Sequence, residues 1–277
     1  MESLTKNKQS RETIRKMAEK YFPDDPLKEY EELTEGYFNV AYEVIFESGR
    51  RVILKVAPPE GIPVMAYEKN IMFAEVEAMK RAAADPLIPV PEIYGYDDSR
   101  SICSSFYFFM EKRRGNSLYS QSQELSEETV HALMRETGAI NRRINEITCS
   151  RFGLPGQTEC QGDSWYPVFK RMMDMGLCDA ETRAVDLKLP VSEIRERLEK
   201  DRRFFEEVTE PRLVHWDIWA GNIFTDGEHV TGIIDWERSL WGDPLLEVGF
   251  RTFASNREFM AGYGKETLTE TEERRAL

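Results

Sequence analysis

The hydrophobic period changes part-way along this chain, and that change limits the folds open to it. The runs Val40-Ala41-Tyr42-Glu43-Val44-Ile45-Phe46 and Arg51-Val52-Ile53-Leu54-Lys55-Val56 flank a Ser48-Gly49 turn. Alternating β-branched and aromatic residues around a glycine turn read as a hairpin. Pro58-Pro59 ends it, and further strands are expected over 92–96 and 106–111. After Gly115 the period lengthens: Val130, Leu133, Thr137, Ile140, Ile144 and Ile147 recur at intervals of three and four. Ser126 is placed to cap that helix, with Glu127 and Glu128 at its positive end. A second helix is expected over 192–208, with Ile194, Leu198, Phe205 and Val208 inward. A third is expected over 67–84, with Met72, Val76, Met79 and Ala83 on one stripe. Residues 10–20 read as a short polar helix. A β-rich first half before a helical second half predicts an α+β chain of two lobes, a small β-rich N-lobe and a larger helical C-lobe. The connector falls near 111–115, which divides the chain into 1–111 and 112–277.

With 277 residues and 41% hydrophobic content, the chain can bury a sizeable core. The polar first twenty residues hold no signal-peptide core, and no apolar run approaches a membrane span. Cys103, Cys149, Cys160 and Cys178 are scattered without Cys-x-x-Cys pairs, the pattern of free thiols in a reducing cytoplasm. They form no zinc set with His131, His215 and His229. A net charge of -13 opposes general nucleic-acid binding, which needs a basic face. The charge is compatible with a cationic small molecule, and solubility alone accounts for most of it.

The densest chemistry lies between residues 214 and 244. His215-Trp216-Asp217-Ile218-Trp219-Ala220-Gly221-Asn222 is followed by Ile233-Ile234-Asp235-Trp236 and by Gly242-Asp243-Pro244. Asn222 lies five residues after Asp217, and Asp235 thirteen beyond that. Phosphoryl transfer needs this set: an Asp to orient the acceptor hydroxyl, and an Asn and a second Asp to hold magnesium on the nucleotide phosphates. Asp226-Gly227 marks a hairpin turn that would bring Asn222 and Asp235 together at its open end. A surface hairpin with Asx residues at its caps gives the same letters.

The segment resembles the aminoglycoside phosphotransferase and choline kinase family, small-molecule kinases with a protein kinase-like fold. The family's run is His-Gly-Asp, four residues, Asn, a short hairpin, Ile-Asp-Trp and Gly-Asp-Pro, and the likeness extends over about 33–250. It implies a phosphotransferase using ATP or GTP with Mg²⁺, acting on a hydroxyl of an aminoglycoside, another antibiotic or a metabolite. Asp217 would be the catalytic base, Asn222 and Asp235 the metal ligands, and His215 a support for the loop. Lys55, inside an apolar strand, would reach the phosphates; an edge-strand lysine facing water is the competing reading. Its helical partner is Glu75 or Glu77, and the family's spacing to a large apolar residue favours Glu75. The loop Thr34-Glu35-Gly36-Tyr37-Phe38-Asn39 resembles the phosphate-covering loop, which assigns Gly36 and Asn39 to the nucleotide. The Glu111 carbonyl and the Arg113 amide would meet the adenine edge, between Ile53, Phe224 and Ile234.

Two residues depart from the pattern. Trp216 stands where the family has Gly, and Glu247 where it commonly has Asp. Relatives also continue with further helices past this point, so some acceptor-binding elements are expected to be missing or supplied differently. A catalytically weak or inactive nucleotide-binding protein of the same fold is the alternative function. The expected partners are a nucleotide and a small hydroxylated substrate, with no nucleic acid and no membrane.

Overall fold

A computed structural model describes residues 5–34, 36, 38–251 and 256–276. They fall into two units. One holds the residues up to Pro63 together with Pro91–Arg113, and the other holds Val64–Val90 with the residues from Arg114 onward. Against the expected 1–111 and 112–277, the segment Val64–Val90 groups with the later residues.

The first unit is an antiparallel sheet backed by a helix. Helix α1 (Arg11–Tyr21) precedes strands β1 (Leu27–Leu33), β2 (Val40–Phe46) and β3 (Arg51–Val56). Strands β4 (Ile93–Asp97) and β5 (Tyr107–Glu111) complete the order β1-β2-β3-β5-β4. The β2–β3 hairpin pairs Val40 with Val56 and Val44 with Val52. Because side chains alternate along a strand, Val40, Tyr42, Val44 and Phe46 share one face with Val52, Leu54, Val56, Tyr107 and Phe109. That face packs on Ile14, Met17 and Ala18 of α1. Helix α1 is therefore amphipathic rather than simply polar, and Ser10 caps it by accepting from Thr13 N. Ile53 and Lys55 belong to the opposite face, across from Met110 and Phe108, and both are buried. Asp97, also buried, accepts from Lys20 Nζ at 2.7 Å, Tyr107 Oη at 2.8 Å and the Ser99 backbone N–H at 2.8 Å.

The second unit opens with a 3₁₀ turn, Ala66–Glu68, and helix α2 (Ile71–Ala82). The helix starts later than the sequence suggests because Asn70 takes a left-handed φ of 56°. Met72, Val76 and Met79 are buried as expected, and Ala82 replaces Ala83 on the stripe. Short strand β6 (Asn116–Ser117) and helix α3 (Leu118–Gln121) lead to α4 (Glu127–Glu146), where Ser126 accepts from Thr129 N at 3.1 Å. Strands β7 (Phe152–Gly153) and β8 (Gln161–Gly162) precede α5 (Trp165–Thr182) and α6 (Val191–Phe205). Then come β9 (Arg212–Val214), β10 (Ile223–Thr225), β11 (Val230–Ile233) and β12 (Leu240–Gly242). Helices α7 (Arg257–Tyr263) and α8 (Glu270–Glu273) follow.

These strands make two small sheets, β11-β10-β6 and β8-β7-β12-β9. The β9–β12 pair sets Val214 opposite Leu240, so the residues leaving β9 and those entering β12 are neighbours. Helices α4 and α7 cross closely at two glycines. A Cβ on Gly138 would lie 2.0 Å from the Phe259 carbonyl oxygen, and one on Gly262 would lie 1.9 Å from that of Arg135. Among the described residues no helix is long and apolar enough to cross a membrane.

Candidate active site

The 215–222 loop and the β10–β11 hairpin are bound together at their ends. Strand β10 pairs Ile223 with Ile233 of β11, and Ile234 N donates to Asn222 O at 3.0 Å. That open end carries Asn222 on one side and Asp235 on the other, as the Asp226-Gly227 signal predicts. At the closed end Asp226 Oδ1 accepts from Glu228 N and His229 N, which rigidifies the turn. Phe224 pairs with Gly232 and with Ser117 of β6.

His215 is fully buried and both of its ring nitrogens meet the main chain. Nδ1 accepts from Asp217 N at 3.2 Å, and Nε2 faces Ile234 O at 3.0 Å. An acceptor at Nδ1 requires the proton on Nε2, so a neutral ring bridges the loop to the hairpin. The indole of Trp236 lies edge-on to it at 4.7 Å.

Asp217 is half-buried. Its Oδ2 accepts from Asn222 Nδ2 at 3.2 Å, and its Oδ1 pairs with Arg238 Nη1 at 3.3 Å. Burial pushes the Asp217 carboxyl above the usual carboxylate range and the nearby Asp235 adds to this, while Arg238, Arg251 and the Asn222 bond oppose it. Asn222 also donates Nδ2 to Asp217 O at 2.9 Å, so its amide nitrogen is committed to Asp217 and Oδ1 is its remaining oxygen donor for a cation.

Glu247 is fully buried and its carboxylate grips the loop from behind. Oε2 accepts from Trp216 N at 2.8 Å, and Oε1 accepts from Ile218 N at 2.8 Å and from Val248 N at 3.0 Å. Asp217 lies between two residues held by one side chain. Burial pushes the Glu247 carboxyl up, against the pull of those three N–H groups and Arg251. Arg251 Nη2 donates to Trp216 O at 3.1 Å, so both ends of residue 216 are tied. Trp216 has a φ of 69°, the left-handed region in which a Cβ costs energy. This backbone geometry accounts for glycine at that place in the family pattern. Here the indole packs edge-on to Tyr67 at 6.1 Å.

Asp235 likewise takes a left-handed φ of 66°. Glu75, Asp235 and Glu237 bring carboxylate oxygens within 4.8 Å of one another. An all-oxygen donor set suits a hard cation such as Mg²⁺. Glu75 is fully buried on α2, whereas Glu77 is half-exposed beside Lys80. Glu237, Arg238 and the grip of Glu247 add to the residues expected from the sequence. The first two follow Asp235 by only two and three residues, so the segment was in view, but nothing local marks which way its side chains turn.

The remaining predicted positions lie in the first unit. Lys55 and Ile53 are buried on β3, Glu111 ends β5, and Arg113 Nη1 binds Glu111 Oε2 at 2.7 Å. Asn39 is buried, its carbonyl accepting from Lys6 Nζ at 2.7 Å. Gly36 is described, while Glu35 and Tyr37 of the same loop lie outside the described residues.

A subtelomeric hrmA-associated cluster protein of Aspergillus fumigatus is 28% identical over 138 residues, covering 50% of this chain and 25% of that protein. The chain thus matches about a quarter of that curated relative's length. Among solved structures, ADP-bound aminoglycoside phosphotransferase APH(2'')-Ib aligns with a TM-score of 0.63 at 17% identity, over 97% of this chain and 86% of that one. A thermostable mutant of APH(4)-Ia, in ternary complex with AMP-PNP and hygromycin B, aligns with a TM-score of 0.58 at 22% identity, over 86% and 75%. These structures share the fold, a β-sheet lobe and a helical lobe. The model of the phosphotransferase enzyme family matches residues 29–277, and the chain belongs to that family.

Proposed function

We propose that this protein transfers the γ-phosphoryl group of ATP to a hydroxyl of a small polar molecule, with Mg²⁺, in the cytoplasm. The observation that carries the reading is the joined set of Asp217, Asn222 and Asp235: one carboxylate bonded to the Asn amide, and a second delivered beside it by the hairpin. Family membership supports the reaction class. Adenine nucleotides in the solved relatives support ATP rather than GTP as donor, and hygromycin B in one of them supports a small-molecule acceptor. Four free cysteines fit a reducing compartment.

Asp217 orients the acceptor hydroxyl and takes its proton late in the transfer. Its raised basicity serves that role, and Arg238 keeps the carboxylate charged and aimed. Asn222 Oδ1 and Asp235 would hold a magnesium ion, with Glu237 beside them, and such an ion would supply positive charge to the phosphates. Lys55 is assigned to the phosphates, with Gly36 and Asn39, and Glu75 to the support of Lys55. Ile53, Phe224, Ile234, Glu111 and Arg113 are assigned to the base. His215 and Glu247 hold the loop. Most of the rate enhancement then comes from positioning and electrostatics.

The test is Mg²⁺-dependent transfer of radiolabelled γ-phosphate from ATP, and from GTP in parallel, to a panel of hydroxylated acceptors. Acceptor-dependent transfer that ATP supports and a chelator abolishes is expected. Failure of Mg·ATP to bind would refute the reading.

A further inference from the structure

Trp219 is the most exposed of the five tryptophans and stands in the candidate catalytic loop, where Trp216 is half-buried. Trp165 and Trp236 are fully buried and Trp241 nearly so, while Trp219 is 44% exposed. Trp219 lies two residues after Asp217 in a tight turn: its N–H donates to Asp217 O at 3.0 Å, and its carbonyl accepts from Asn222 N at 2.8 Å. The indole lies against Gly221, where a Cβ would fall 2.3 Å from the ring. A second exposed ring meets it. Tyr119, 65% exposed at the start of α3, has its centroid 5.7 Å away at an interplanar angle of 58°. Tyr119 N donates to Ala220 O at 2.9 Å, which fixes α3 to the loop. Two large exposed rings that meet each other are therefore anchored, through their backbone, to the loop that carries Asp217.

Aromatic faces left exposed at such a place offer apolar contact at little cost in side-chain entropy. We propose that Trp219 and Tyr119 form a shelf for the acceptor, and that the acceptor carries its reactive hydroxyl on a ring. The ring's C–H face lies on the aromatic pair and its edge hydroxyl reaches Asp217. Two tilted rings make an open surface rather than an enclosing cage, the arrangement a quaternary ammonium needs. Open-chain amino alcohols, with no flat face, gain little from it. This inference rests on the phosphotransferase reading and narrows its substrate class.

The experiment uses the full chain with Mg·ADP. Myo-inositol, methyl glycosides and disaccharides are titrated against glycerol and choline, with acrylamide quenching of tryptophan fluorescence as the readout. The Trp219→Phe variant identifies the part of the signal that belongs to Trp219. Ring probes are expected to shield Trp219 and to bind roughly tenfold more weakly to Trp219→Ala. Trp219→Phe should restore most of that affinity, and Tyr119→Ala should lose part of it. Unchanged affinity in Trp219→Ala, or choline and glycerol binding as well as the rings, would overturn the shelf. If Mg·ADP binds but no ring probe shields Trp219, the shelf alone fails. If Mg·ADP does not bind, the phosphotransferase reading fails with it.

Discussion

Asp97 in the sheet unit and three acids of the second unit, Asp217, Asp243 and Glu247, are shifted in opposite directions. In the sheet unit, burial disfavours the charge on Asp97, yet hydrogen bonds from Lys20, Ser99 and Tyr107 outweigh it and hold the carboxyl far below its ordinary range. At the three acids of the second unit burial prevails. Asp217, Asp243 and Glu247 are all pushed upward, although Arg238, Arg275 and the loop N–H groups oppose the shift. A carboxylate that its neighbours satisfy stabilises a fold. A carboxylate on which burial outweighs its hydrogen bonds, as at Asp217, retains the basicity that proton transfer needs.

This contrast can be broken by substitution. The largest effect is expected from Asp217→Asn, which should lower kcat by about 10²- to 10⁴-fold while Mg·ATP affinity stays near wild type. Phosphate transfer and calorimetric binding on the same preparation would check both halves, and a variant with normal turnover would remove Asp217 from the reaction. Glu247→Ala should cost about 3 kcal/mol of stability, because the Trp216 and Ile218 N–H groups lose their buried acceptor. It should also depress kcat, measured alongside denaturant unfolding.

Asp97→Asn should cost about 2 kcal/mol with kcat unchanged. A loss of kcat there would erase the distinction between the units. The pH dependence has a defined sign. Asp97 titrates lower folded than unfolded, so its contribution is complete above about pH 4 and is lost as the pH falls below that. The pH-dependent stability difference between wild type and Asp97→Asn measures it. The smallest effect belongs to Trp216→Gly. Relief of the left-handed strain, about 1–2 kcal/mol, offsets part of the lost indole packing. A thermal shift of only a few degrees is expected.

Legibility in the sequence followed locality. The β2–β3 hairpin, the Ser126 cap of α4 and the hairpin joining Asn222 to Asp235 are set by neighbours in the chain, and all three could be read directly. Strand β1 was missed because it is a charged edge strand pairing only with β2, with none of the alternation that marks a half-buried one. Helix α5 was hidden by Pro167 and Gly176. Pro167 sits in the first turn, where its missing N–H has no intrahelical partner to lose. The polar skeleton Asp217, Asn222 and Asp235 was visible as a spacing. The grip of Glu247 on the loop was not, since it joins residues about thirty positions apart.

The glycine crossing of α4 and α7 has a consequence for how this family member can drift. Helix α4 also carries Asn145, whose amide donates to Leu213 O at 2.6 Å, two residues before His215. Where α7 stops α4 therefore helps set where the loop begins. A single methyl group at position 138, on a helix with no part in the chemistry, would push against the Phe259 carbonyl and move that anchor. Selection on turnover should then reach into a contact that never meets a substrate, making positions 138 and 262 as intolerant of change as the acids they indirectly align.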